Sequence, residues 1–203
     1  MDLVKRGAEA DIYLTEWFGR PAISKVRHPK PYRNPDLDAR LRRRRTLREA
    51  SMLHMVKSLR IPSPLVYFVD AARHTIIMEY VRGTPVHSLP DGDIPGHCRE
   101  MGRVAGLLHS AGIMHGDLTT SNFILGEGLF LIDMGLSRRT TKPEDWAVDM
   151  RLIKEILGSA HAGVLEESWE ALTDGYAQTM PRHAEVLRLV ARIEGRGRYA
   201  RVV

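Results

Sequence analysis

The order of apolar and polar positions divides the chain into a first part with the short runs of β-strands and a second part with helical stripes. Over residues 2–30, Leu3-Val4, Ile12-Tyr13-Leu14 and Ala22-Ile23-Ser24-Lys25-Val26 are short apolar or β-prone runs, punctuated by Gly7 and Gly19-Arg20-Pro21. They predict an antiparallel meander. HPKPYRNPD (28–36), with its three prolines, predicts a loop. A long helix is expected from about Asp36 to Arg60, capped by Asp36 or Asp38 and stopped by Pro62. Glu49 falls on the face of Met52, Leu53 and Val56, at i, i+3, i+4, i+7. A carboxylate there points inward and needs a cationic partner. Leu65–Val69 and Thr75–Tyr80 read as two more strands around the turn Asp70–His74. The segment MEYVRGTPV (78–86) then leaves the sheet as an extended linker.

Beyond the linker, Met101, Val104, Ala105 and Leu108 mark the inward stripe of a helix from about Gly96 to Ala111. Phe123–Leu125 and Leu129–Ile132 flank a turn at Gly126-Glu127-Gly128 and predict a hairpin. TKPEDWAVDMRLIKEIL reads as a helix capped near Thr141 or Asp145. Two more helices are expected at 164–180 and 181–194, then a mobile tail from Gly195. Strands followed by helices imply an α+β chain in two lobes. These are a β-rich lobe with one long helix (1–80), a helical lobe (81–194) and a basic flexible tail (195–203). A cleft between lobes is an expected place for a ligand.

Composition narrows this picture only a little. The chain is 43% hydrophobic and 27% charged, as in ordinary globular domains. No apolar run approaches about 18 residues, so no spanning helix is expected. MDLVKRGAEADIYL has no signal-peptide apolar region. Cys98 is the sole cysteine, which excludes an internal disulfide and fits a reducing cytosol. Charge changes the picture more. The net charge is +5, and arginines cluster in RLRRRRTLR (40–48) and RIEGRGRYAR (192–201). Each cluster reads either as a solvated face or as a contact for nucleic acid or an acidic protein.

The candidate chemistry lies in HGDLTTSN and LIDMG. Asp117 is followed after four spacers by Asn122, and Asp133 comes eleven residues further on. The hairpin folds Asn122 and Asp133 back towards each other. Two such oxygen ligands, with phosphate oxygens, suit Mg²⁺. Asp117, one loop away, can orient or deprotonate a hydroxyl or water. Taken singly, an Asp or Asn in a turn is ordinarily a capping or turn residue, and a strand lysine an edge residue.

Taken together, the pieces resemble the protein-kinase signature set. His115, Asp117 and Asn122 match the catalytic-loop pattern, and Asp133-Met134-Gly135 matches Asp-Phe-Gly. Lys25, in AISKV, matches the strand lysine, and Glu49 its helix partner. The resemblance implies ATP and Mg²⁺ as cofactors. Lys25 would hold the phosphates, Asn122 and Asp133 the metal, and Asp117 the nucleophile. Gly7 would lie in the phosphate-covering loop, and Met78, Glu79 and Tyr80 would supply hinge contacts to adenine. His115 is expected to be a structural hydrogen-bonder. Asp149 is either a brace for the catalytic loop or a surface acid. The departures are also informative. The covering loop KRGAEADIY has one glycine and places Glu9 beside a polyanion. Gly116 replaces the usual arginine, and Thr119 the usual lysine. No Ala-Pro-Glu follows, and about 70 residues remain after Gly135, so a curtailed peptide-docking region is expected.

More narrowly, GAEADIY, KVRHPKPYRNPDLDARLRRRRTLREASML, IPSPLVYFVD, HGDLTTSN and DWAVDM resemble the small atypical kinase/ATPase subunit of the KEOPS (EKC) complex, a PRPK-related family, over essentially the whole chain. That resemblance implies a cytoplasmic, Mg-ATP-dependent Ser/Thr kinase acting mainly as an ATPase. It would support threonylcarbamoyladenosine formation at position 37 of tRNA. The implied partners are the threonylcarbamoyltransferase subunit, a dimerising scaffold and a small regulatory subunit on the N-terminal lobe. The helix 40–48 and the tail 195–201, in which Tyr199 takes the place of a further basic residue, would contact tRNA. The alternatives are an aminoglycoside-type small-molecule phosphotransferase, a RIO-type kinase, and a tRNA-binding scaffold that keeps only the kinase fold.

Overall fold

The computed structural model describes the backbone of residues 2–199 and the side chains of residues 2–195. Residues 200–203 lie outside this description. The first lobe is an antiparallel sheet with one helix packed on it. Strands β1 (Asp2–Arg6), β2 (Ala10–Trp17) and β3 (Arg20–Arg27) form the expected meander. Phe18 and Gly19 close the β2–β3 hairpin with φ of 49° and 77°. Positive φ at both central residues matches the right-handed twist of the flanking strands. Helix α1 (Pro35–Ser58) follows, then β4 (Val66–Asp70) and β5 (Thr75–Glu79). Asp70 Oδ1 accepts the N–H groups of Ala72 and Arg73 at 3.0 and 2.9 Å, which fixes the β4–β5 turn. The strand order is β1-β2-β3-β5-β4.

The chain leaves the sheet through residues 80–83 into the two-residue strand β6 (Thr84–Pro85). Helix α2 (Ile94–Ser110) and strand β7 (Ile113–Met114) lead to the hairpin β8 (Phe123–Leu125) and β9 (Leu129–Leu131). Strand β10 (Arg138–Arg139), which pairs with β7, precedes helices α3 (Pro143–Ala160), α4 (Leu165–Thr179) and α5 (His183–Tyr199). The inward stripe expected on α2 is buried, with Met101, Val104, Ala105 and Leu108 packed in one core with Leu172 and Tyr176 of α4. The two helices approach backbone to backbone. A Cβ on Gly102 would lie 1.9 Å from the Leu172 carbonyl oxygen, and one on Gly175 would lie 1.8 Å from that of Arg99. The result is the two-lobed α+β architecture expected from the sequence.

Several boundaries differ from the expectation, for local reasons. Asn34, not Asp36 or Asp38, caps α1. Its side chain accepts from the N–H groups of Asp36 and Leu37, and Pro35 occupies the first turn, where its missing N–H costs nothing. Asp38 is buried and takes Arg42 at 2.6 Å. Lys142 holds the cap position of α3, in place of Thr141 or Asp145, while Asp145 accepts from the Thr140 hydroxyl at 2.6 Å. Helix α2 starts at Ile94 rather than Gly96, again with a proline in its first turn. Helix α5 continues through Tyr199, past the expected end at 194. Gly195 and Gly197 lower helix propensity there, but no proline stops the helix. The expected mobility and contacts of residues 200–203, Arg201 included, lie outside the described residues.

Candidate active site

The site begins on β3. Side chains two apart on a strand share a face, so Lys25 and Arg27 both point at α1, and both are buried. Glu49 comes from α1 on the helical spacing described above and is also buried. Lys25 Nζ donates to Glu49 Oε1 at 2.6 Å and to Asp133 Oδ1 at 2.7 Å. The inward carboxylate therefore has the partner the sequence demanded, joined by a group 108 residues away from Lys25 in the chain. Burial works against the charge on Lys25, but Glu49 and Asp133 outweigh it and hold the lysine pKa above its usual value.

The β8–β9 hairpin converges Asn122 and Asp133. Phe123 pairs with Leu131, and the Ile132 N–H donates to the Asn122 carbonyl at 2.9 Å. The Asn122 amide nitrogen donates to the Asp117 carbonyl at 2.7 Å and to Asp117 Oδ2 at 2.9 Å. Because both partners are acceptors, the network assigns the amide orientation and leaves Asn122 Oδ1 as its acceptor. Asp133 has φ of 60°, and its Oδ1 also accepts the Gly135 N–H at 3.0 Å. Burial raises its pKa, but Lys25 and the Gly135 N–H pull it down to about 2. Its second oxygen and Asn122 Oδ1 make an oxygen-only donor pair. No group of three or more His, Cys, Asp or Glu side chains suited to a metal occurs among the described residues. Such a pair fits Mg²⁺, which keeps waters and phosphate oxygens in the rest of its octahedron.

Behind the catalytic loop, Asp149 on α3 is fully buried, which decides between brace and surface acid. Its carboxylate accepts the His115 N–H at 2.5 Å and the Gly116 N–H at 2.8 Å. His109 Nε2 lies 3.3 Å from the same carboxylate, and its Nδ1 lies 2.8 Å from the Tyr176 hydroxyl. A carboxylate accepts, so His109 presents an N–H at Nε2 to Asp149 and pairs through Nδ1 with the Tyr176 hydroxyl. His115 is buried, and its Nδ1 accepts the Asp117 N–H at 3.2 Å. Burial lowers the His115 pKa against the pull of Asp149, Asp133 and Asp117. A neutral structural role follows. Gly116 is dictated by geometry. Its φ is 82°, and a Cβ would lie 2.7 Å from the Leu136 carbonyl oxygen. Thr119 is buried, and its carbonyl accepts the Asn122 N–H at 3.1 Å.

At the candidate covering loop, Gly7 donates to the Ala10 carbonyl at 3.0 Å, making a tight turn between β1 and β2. Glu9 is held there by Arg45 and by Arg27 Nη1, the latter at 3.2 Å. Burial lifts the Glu9 carboxyl, but these arginines hold it below its ordinary range. On the hinge side, Met78 is buried, Tyr80 is partly exposed, and the Glu79 N–H is taken by the Leu65 carbonyl at 2.8 Å. Sequence reasoning missed Arg27, His109 and Tyr176. For Arg27 the alternation of β3 was signal enough, because it shares the face of Lys25. The His109–Tyr176 pair spans 67 residues and left no local trace.

Comparison with known proteins bears on this geometry. The RIO domain family model matches residues 26–157, beginning one residue after Lys25. The chain is 41% identical to the KEOPS complex subunit Bud32 of Pyrococcus abyssi, covering 98% of this chain and 96% of that one. It is 39% identical to a probable bifunctional tRNA threonylcarbamoyladenosine biosynthesis protein of Methanothermobacter thermautotrophicus, covering 98% of this chain but only 36% of that relative's length. Among solved structures, the Rio2 kinase of Chaetomium thermophilum, in a complex with ADP/Mg²⁺ and phosphoaspartate, superposes with a TM-score of 0.67. That match has 16% identity and covers 98% of this chain and 72% of the other.

Proposed function

The chain belongs to the RIO-domain family and to the family of the KEOPS complex subunit Bud32, and on that premise we propose that it is an Mg-ATP-dependent atypical Ser/Thr kinase acting mainly as an ATPase in support of threonylcarbamoyladenosine formation at position 37 of tRNA. The observation that carries the reading is Lys25 held between Glu49 at 2.6 Å and Asp133 at 2.7 Å. In this reading Lys25, aimed by Glu49, binds the α- and β-phosphates, and Gly7 lies in the turn above them. The backbone of Met78, Glu79 and Tyr80 flanks adenine. Asn122 Oδ1 and the outer Asp133 oxygen hold the metal. Asp117, fixed by Asn122, orients the attacking oxygen. When bound, ATP would supply the phosphoryl group and the Mg²⁺ held by Asn122 and Asp133 would offset the charge developing on it. Thr119, in place of the usual lysine, and the curtailed peptide-docking region favour water as the acceptor.

The reading carries with it a cytoplasmic location and the partners named above: the transferase subunit, a small regulatory subunit on the first lobe, and tRNA. No helix among the described residues is long and apolar enough to cross a membrane. A second reading, an RNA-binding scaffold, draws on the arginine helix. Arg42 and Arg45 are paired with Asp38 and Glu9. Arg40, Arg43, Arg44 and Arg48 are exposed and make no ion pair among the described residues. The aminoglycoside-type alternative is not favoured by relatives whose names concern KEOPS and tRNA.

The test is phosphate release from Mg-ATP by the purified chain, alone and with its transferase partner and tRNA. Turnover stimulated by the partner and lost in Asp133→Ala is expected. Full hydrolysis by Asp133→Ala would refute the metal assignment. RNA binding with no turnover in any mixture would leave the scaffold reading.

A further inference from the structure

Arg27 has no place in the roles assigned so far, yet it is among the most enclosed charges in the chain. Its side chain is 4% exposed. Glu49 is shared: Oε1 takes Lys25 at 2.6 Å and Oε2 takes Arg27. The other guanidinium nitrogen of Arg27 reaches Glu9, in the turn between β1 and β2, at 3.2 Å. Arg45 of α1 closes the series on Glu9. The charges thus alternate as Asp133, Lys25, Glu49, Arg27, Glu9, Arg45, and each buried ion has an opposite neighbour. The segment after Asp133 passes close to this group, and a Cβ built on Gly135 would lie 3.2 Å from Arg27 Nη2. One rigid fork therefore bonds both the covering turn and helix α1.

We propose that Arg27 is a positioning residue of the nucleotide site, coupling the Gly7–Glu9 turn to the Lys25–Glu49 pair. The proposal rests on the Mg-ATP reading above. The planar guanidinium serves two carboxylates on separate elements at once. A lysine ammonium keeps the charge but not that fork. Glu9, the acid that looked misplaced beside a polyanion, is the turn's attachment to the catalytic pair. Displacing it frees the turn, and releasing Glu49 Oε2 frees the carboxylate that aims Lys25.

The test compares the wild-type chain with Arg27→Lys, Arg27→Gln, Glu9→Gln and the Glu9→Gln/Arg27→Lys double variant. ADP affinity with Mg²⁺ is read by calorimetry, KM and kcat by phosphate release, and folding by thermal melting. Arg27→Lys should raise KM for Mg-ATP about tenfold, with a smaller fall in kcat. Glu9→Gln should raise KM while leaving kcat nearly unchanged. The double variant should be no worse than the worse single one, because the same link is broken once. Arg27→Gln should both raise KM further and lower kcat. If it fails to fold, Arg27→Lys and the half-exposed Glu9→Gln carry the comparison. Wild-type KM and ADP affinity in these variants, with only a lower melting temperature, would reduce Arg27 to a structural ion pair and overturn the proposal. Fully additive penalties would overturn it too. A wild-type chain that takes no ADP overturns the Mg-ATP reading and this inference together. ADP binding by the wild type that the variants leave unchanged overturns this inference alone.

Discussion

At the scale of single residues, the site shows how backbone geometry selects a side chain that motif comparison registers only as a departure. Gly116 stands where kinase-like sequences commonly carry arginine. Its φ of 82°, and the 2.7 Å that would separate a Cβ from the Leu136 carbonyl oxygen, leave no room for one. The Gly116 N–H is also held by Asp149 at 2.8 Å. Restoring the arginine should therefore damage the loop. Gly116→Arg should lower unfolding free energy by about 1–3 kcal/mol and reduce phosphate release, as read by urea titration and turnover on the same preparation. Unchanged stability with higher turnover would contradict this account. Lys25, Glu49, Asn122 and Asp133 could be read from the sequence because each sits in a short pattern with fixed spacing. Strand alternation puts Arg27 on the face of Lys25, but nothing local joins it to Glu9. That pairing is a distance of 3.2 Å, set by the fold of strand β3 against the β1–β2 turn.

At the scale of elements, helical and strand periodicity carried most of the reading, and the errors fell at the ends. The stripe on α2 was legible because apolar residues recur at helical spacing. Its partner was not. The choice of α4 comes from close contact at Gly102, Gly106 and Gly175, where Cβ atoms would lie 1.9, 2.1 and 1.8 Å from their nearest neighbours. Gly102→Ala should therefore destabilise the chain by about 1–3 kcal/mol, even though alanine is the better helix former by about 1 kcal/mol. Chemical denaturation reads the sign directly, and a stabilised variant would show that the helices can separate freely. The caps of α1 and α3 were misplaced because several acids and hydroxyls competed for each. Asp38 and Asp145 were claimed by Arg42 and by Thr140 with Arg138, which left Asn34 and Lys142 at the cap positions.

At the scale of the whole molecule, tertiary structure sorts the arginines into two populations. Arg27, Arg42 and Arg45 face inward to Glu49, Glu9 and Asp38. Arg40, Arg44 and Arg48, four residues apart, form an exposed line along α1, and Arg48 reaches the Gly135 carbonyl at the mouth of the site at 3.4 Å. Such a line suits a phosphodiester backbone. In tRNA filter binding across a salt series, changing all three to glutamine should flatten the dependence of log affinity on log salt by about 2–3 units. Arg40→Gln/Arg44→Gln, which leaves the Arg48–Gly135 contact in place, should retain basal ATP turnover. An unchanged slope would place any RNA contact elsewhere.

The sequence by itself did not determine the two-residue strands β6, β7 and β10. It determined the longer elements, the division into a strand-rich and a helical part, and the ordered set from Lys25 to Asp133. Each of these is written in local spacing, and local spacing survives without a partner. Only the tertiary structure decided which charges meet. Lys25 bridges Glu49 and Asp133, Arg27 joins Glu49 to Glu9, and Asp149 gathers His115, Gly116 and His109. The physical reason is that a buried charge is stable only beside its opposite, and sheet pairing and helix packing, not distance along the chain, set which opposite is near.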